Sequence, residues 1–252
     1  MTKNPELAPS VLARQRFMTF SDAFAVHRKL VIFATFLVLA HCLSMVSRFY
    51  LDRDIVFGIV PMFDFYEETN VPTYFSALNL LLTGSMLLAI SRLEKLNNKP
   101  DVLAWRVLGF GFLLMSLDEF ADVRMILHRA ADGITGTSLL DAVPFMSVAW
   151  TVPVVLVLAI LAVYFVPFLS RLDKRYALHF CLAGACFVLA SVVLENTEGA
   201  HIKTVGGVRD IPFTIMVTLE ESAEIFSILY FQYFLLRYVR QYYPQTGIQV
   251  SY

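Results

Sequence analysis

Two apolar stretches of the chain are each interrupted by three carboxylic acids, Asp118, Glu119 and Asp122 in one and Glu220, Glu221 and Glu224 in the other. Ionised groups are costly in hydrocarbon and persist where something compensates them. On a helix, Asp118 and Asp122 are four positions apart and Glu119 and Asp122 three apart. Glu220 and Glu221 stand in the same relations to Glu224, so each segment can present an acidic pair on one face. Carboxylates projecting from facing helices can hold one metal ion or a di-metal centre of iron, manganese, copper or zinc, whose charge offsets the desolvation of the acids. Asp118, Glu119, Glu221 and Glu224 are the expected direct ligands, with Asp122, Glu195 and Glu220 ligating or orienting. Glu195 joins the set because an acid near a helix C-terminus opposes the helix dipole and needs another partner. His128 and Glu198 are expected nearer the entrance, and His41 and His201 are possible additional nitrogen ligands. If the site is catalytic, metal-bound water or an oxygen species would act on a lipid-soluble or periplasmic substrate.

Three other readings account for the same acids. Buried carboxyls that carry protons serve proton- or ion-coupled transport. Arg48 and Arg124 can neutralise neighbouring acids in a purely structural ion network. The chain can also be an accessory subunit of a larger membrane complex, to which its aromatic last helix and N-terminal arm would bind. Neither helix carries Glu-x-x-His, and the chain lacks the histidine clusters of membrane hydroxylases as well as GxSxG, HExxH and P-loop motifs. His41 alone is more often a hydrogen-bonded core histidine than a ligand, and Glu67 and Glu68, just ahead of Pro72, suit a helix N-terminus.

The elements that must position these groups are membrane helices. Of 252 residues, 58% are hydrophobic and 16% charged, and mean hydropathy is +0.64, beyond the range of ordinary soluble domains. The net charge of −1 gives no reason to expect a nucleic-acid partner; the bilayer, a membrane-protein partner or a second copy are the expected ones. The fold class is all-α, an integral membrane bundle of six transmembrane helices, near 30–50, 71–91, 102–127, 143–169, 176–195 and 211–239, each close to the roughly 20 residues that cross a bilayer. Residues 1–29 form an amphipathic arm with Phe17, Phe20 and Phe24 on one face, residues 30–240 the membrane domain, and 241–252 a tail. The short apolar segment 55–65 reads as re-entrant or interfacial. Basic residues collect in the arm (Lys3, Arg14, Arg16, Arg28, Lys29) and around Lys95, Lys99, Arg171, Lys174 and Arg175, which puts both termini in the cytoplasm and the protein in a bacterial inner membrane. Cys42, Cys181 and Cys186 show no metal or disulfide spacing and read as free core thiols.

Helical rise then gives depth. Glu119 precedes His128 by nine positions and Glu221 follows Ile211 by ten. At about 1.5 Å per residue, both lie at similar levels in the outer half of the bundle. The blocks FDFYEETNVPTYFSALNLLL, MSLDEFADVRMILHR and TLEESAEI resemble those of uncharacterised bacterial polytopic inner-membrane proteins with Leu-Asp-Glu, His and Glu-Glu blocks. There the His is usually followed by Glu, whereas Arg129 follows His128 here. The resemblance implies that these acids belong together, and it implies no activity.

Overall fold

The computed structural model describes residues 16–121, 123, 151–245 and 248–250. Among them the chain is helical, apart from the three-residue strands β1 (Arg16–Met18) and β2 (Ile248–Val250), which pair antiparallel with Arg16 opposite Val250. Helix α1 (Phe20–Leu51) opens with a capping box: the Thr19 hydroxyl accepts from the Asp22 amide at 3.2 Å, and the Asp22 carboxylate accepts from the Thr19 amide at 3.0 Å. The first long helix therefore starts ten residues before the expected Leu30, and Phe17 lies in a strand, not on a helical face with Phe20 and Phe24.

A 3-10 turn (Val56–Gly58) and a five-residue helix α2 (Ile59–Phe63) occupy the short apolar segment. Helix α3 (Val71–Leu96) starts on an Asn70 cap with Pro72 in its first turn. Helix α4 (Val102–Ala121) comes next, then α5 (Thr151–Arg171) and α6 (Lys174–Val188). Helix α6 passes through a π turn (Leu189–Leu194) into α7 (Glu195–Thr204). Gly206 and Gly207, with φ of 68° and 84°, reverse the chain into α8 (Ile211–Tyr242), capped by Asp210. Asp101, placed to cap α4, gives its side chain instead to Arg171, whose Nε donates to Oδ1 at 2.9 Å and ties α5 to the start of α4.

Four helical stretches among the described residues are long and apolar enough to cross a membrane: Phe20–Leu51, Val71–Leu96, Val154–Arg171 and Lys174–Thr204. The composition of these helices is that of a membrane protein. Helices α4 and α8 are also long, at 20 and 32 residues. They differ because Arg106, Asp118 and Glu119, and Glu220, Glu221 and Glu224, break their apolar runs.

Helices α3 and α4 approach most closely where Gly84 faces Gly109, since a Cβ at Gly84 would lie 2.9 Å from the Gly109 carbonyl oxygen. Helix α8 runs through the middle of the bundle. One apolar core packs Phe231, Leu235 and Tyr238 against Leu87, Trp105 and Phe180, and a second packs Phe213, Val217 and Leu229 against Leu37, Phe65 and Phe75. Between them Gln232 donates to the Asn79 carbonyl at 3.1 Å and to the Thr83 hydroxyl at 2.9 Å, joining α8 to α3 inside the protein. The three cysteines are free, as expected, but lie exposed on helix surfaces and not in the core.

Candidate functional site

The wall of the site begins with a buried ion pair. Arg48, in the last turn of α1, donates to Asp64 Oδ2 at 2.6 Å, and the Tyr66 amide donates to Oδ1 at 3.1 Å. Asp64 is 1% exposed. Asn70 Nδ2 donates to the Asp64 carbonyl at 2.6 Å while its Oδ1 caps α3. The segment from Phe65 to Thr69 is thereby pinned as a tight arch, with Thr69 in the left-handed region at φ 58°. His41 completes the anchor: its ring stacks on Phe65 at 4.3 Å, Nδ1 accepts from the Phe65 amide at 3.1 Å, and Nε2 lies 2.9 Å from the Thr218 hydroxyl of α8.

A second wall comes from the π turn. The Glu195 amide donates to the Ala190 carbonyl, five residues back. Side chains take up neighbouring carbonyls, Asn196 Nδ2 donating to Val192 O and the Thr197 hydroxyl to Val193 O, each at 2.7 Å. The extra residue per turn resets the phase of α7, which presents Glu195 and Glu198 on the side facing α8. π turns of this kind recur at functional sites.

These elements enclose a cleft of about 280 Å³. It is lined by Glu67 and Glu68 from the arch, Asp118 and Glu119 from α4, Glu195 and Glu198 from α7, and Glu220 and Glu221 from α8, with Phe65 and Val217 beneath. Glu198 and Glu220 are 9% and 7% exposed, and their carboxyl groups lie close enough to interact electrostatically. Glu198 Oε2 is buried without a hydrogen-bond partner. At the rim, Arg209 Nη1 donates to Glu67 Oε1 at 2.6 Å and its guanidinium lies 4.0 Å from the centre of the Tyr66 ring. His201 Nε2 lies 2.9 and 3.0 Å from the two Asp210 oxygens. The Asp210 carboxyl sits below its usual range chiefly because the Phe213 amide donates to it, with His201 adding to the effect.

Of the residues singled out in the sequence, Asp118, Glu119, Glu195, Glu198, Glu220 and Glu221 come together in this cleft. Asp122 and His128 lie outside the described residues. Glu224 is one turn further along α8 and does not line the cleft. Glu198, expected nearer the entrance, is one of the two most buried acids of the cleft. His41 and His201 are engaged elsewhere, His41 in anchoring the arch and His201 with Asp210. No group of three His, Cys, Asp or Glu side chains among the described residues is disposed as a ready metal site. Glu67 and Glu68, which the sequence assigns to the start of α3, are cleft residues, and the cap is Asn70. The one sequence signal for this was the flanking Asp64 and Asn70, residue types that close tight turns through their own side chains.

A family model described as a domain of unknown function (DUF8692) matches residues 29–238. No curated protein and no solved structure matches the chain.

Proposed function

The chain belongs to the DUF8692 family of unknown function, and we propose that it is a multi-pass membrane protein whose carboxylate cleft binds a metal cation. In this reading α4 and α8 cross the bilayer with the four apolar stretches, giving six spans. The basic residues place both termini in the cytoplasm and the cleft in the outer half of a bacterial inner membrane. The observation that carries the proposal is the buried carboxyl pair, Glu198 and Glu220, at the back of a cleft lined by six further acids from the arch, α4, α7 and α8. Glu198, whose Oε2 has no hydrogen-bond partner, and Glu220 would hold the cation, and because ligating carboxylates must be deprotonated, binding would strengthen as pH rises. Asp118, Glu119, Glu195 and Glu221 line the same cleft and would offer further oxygen ligands, which suit manganese or iron better than soft thiolate-seeking ions.

Elemental analysis of the detergent-purified protein tests this. Stoichiometric metal in the wild type that disappears in Glu198→Gln and Glu220→Gln supports it, and metal-free protein after growth and purification with added manganese, iron, copper and zinc overturns it. The buried Glu198–Glu220 pair also favours one second reading, proton-coupled transport through the same acids. pH-driven flux in liposomes by metal-free protein, abolished by Glu220→Gln, would select it.

A further inference from the structure

The acidic cleft does not end at its own wall. Glu67, Glu68 and Thr69 line it on one side, and on the other they line a second, more open groove of about 560 Å³. The rest of that groove is formed by Gly58, Pro61 and Met62 from the short apolar segment and by Asn70, Val71 and Tyr74 at the start of α3. Its apolar rim faces outward from the bundle, with Met62 and Tyr74 about half exposed. Two chambers of unlike chemistry thus share one neck.

The backbone around the groove is held in conformations that side chains rarely adopt. Val56, Phe57 and Gly58 have φ of 37°, 56° and 85°, and Thr69 has 58°. A β-branched residue with positive φ is a strained outlier, and such strain concentrates at binding sites where surrounding contacts enforce it. Phe57 in this stretch is fully exposed. The groove is open along its exposed apolar edge at Met62 and Tyr74.

We propose that cleft and groove together form one site for an amphiphile with a cationic, amine-type head and an alkyl chain, taken up sideways from the membrane. The head enters the acidic chamber, where an ammonium group supplies a positive charge beside the buried Glu198 and Glu220 and an N–H donor for the Glu198 Oε2, which has no hydrogen-bond partner. The chain passes Thr69 and lies along Pro61, Met62 and Tyr74. Moving an alkyl chain from lipid into an apolar groove changes little, because lipid is as apolar as the groove. Selection therefore falls on the head. The proposal rests on the reading of the cleft as a cation site, with an organic cation and a metal ion competing for the same carboxyls.

The test is photolabelling of the full-length protein in phosphatidylcholine nanodiscs with a diazirine-bearing long-chain primary amine, alongside the carboxylic acid and the alcohol of the same chain. The amine is expected to label residues 58–74 roughly tenfold more than either analogue, the ratio given by about 1.4 kcal/mol of head selectivity. Excess unlabelled long-chain amine should compete at far lower concentration than ethylamine, and Mn²⁺ should compete as well. Glu68→Gln combined with Glu220→Gln should reduce amine labelling to the level of the acid. Equal labelling by all three heads, labelling outside the groove, or ethylamine competing as well as the long-chain amine would overturn the proposal; the competition arms need no variant to fold. Amine labelling in a protein that never takes up metal removes the metal reading and leaves this one standing, whereas bound metal without selective amine labelling does the reverse.

Discussion

Glu94 offers a quantitative test of how α8, which carries half of the buried carboxyl pair, is fixed at the end of the bundle away from the cleft. Its carboxylate is 2% exposed and accepts from the Tyr238 hydroxyl at 2.6 Å and the Tyr243 hydroxyl at 2.7 Å. Both tyrosines keep their protons as donors; burial, then Glu94, pushes the Tyr243 hydroxyl up from its ordinary range. Lys99 lies 3.7 Å from the same oxygen but is more than a third exposed, so its ion pair adds little. Glu94→Ala leaves two buried hydroxyls without their acceptor at about 1–3 kcal/mol each, hence a loss of about 4 kcal/mol. Glu94→Gln keeps an acceptor oxygen but turns two charge-assisted bonds into neutral ones, a loss of about 2 kcal/mol. The measurement is reversible unfolding in mixed detergent micelles at neutral pH for these variants, Tyr238→Phe, Tyr243→Phe and their combinations with Glu94→Ala. If the tyrosines act through Glu94, replacing them costs less once Glu94 is gone. Full additivity across the double-mutant cycles, or a Glu94→Ala cost below about 1 kcal/mol, would refute the reasoning.

Deleting Val192 from the π turn restores ordinary helical phase and turns Glu195 and Glu198 about 100° relative to α6. Metal retention should fall about tenfold or more while helical content by circular dichroism is unchanged, and wild-type retention would show that the π turn does not position the acids. The pH dependence of stability comes in part from Asp210, whose carboxyl lies below its ordinary value of 3.8 in the folded chain. Its contribution is present above that value and is lost as pH falls through the lower, folded one. Asn also caps helices but carries no charge, so Asp210→Asn should lower the thermal midpoint at pH 7 slightly and flatten its decline below about pH 4. An identical decline in the variant would assign the acid sensitivity to other groups.

The acids of α4 and α8 were legible in the sequence because carboxylates stand out where they interrupt otherwise apolar helical runs. The apolar residues carry no such information. On α1, Leu37 is 0% exposed, while Leu39 and Leu43 are 59% and 70% exposed; lipid and core are equally apolar, so residue type does not separate the two sides. The same equivalence explains why Cys42, Cys181 and Cys186 face outward where a soluble protein would bury them. Glu67 and Glu68 escaped for a different reason. They precede a proline-marked helix start, where negative charge is favourable on its own, and the Arg48–Asp64 pair and the Asn70 bridge, contacts across 16 and 6 residues, help turn them back towards α4 and α8. The π turn left no mark either, since Leu-Ala-Ser-Val-Val-Leu is as good an apolar helix as its surroundings. Its presence becomes intelligible from the acids of α7: Glu195 and Glu198 lie one turn apart on that helix, and the register that sends one of them into the cleft sends both. A single inserted residue thus aims two carboxyls at α8, a displacement that hydropathy cannot register because the residue inserted is itself apolar.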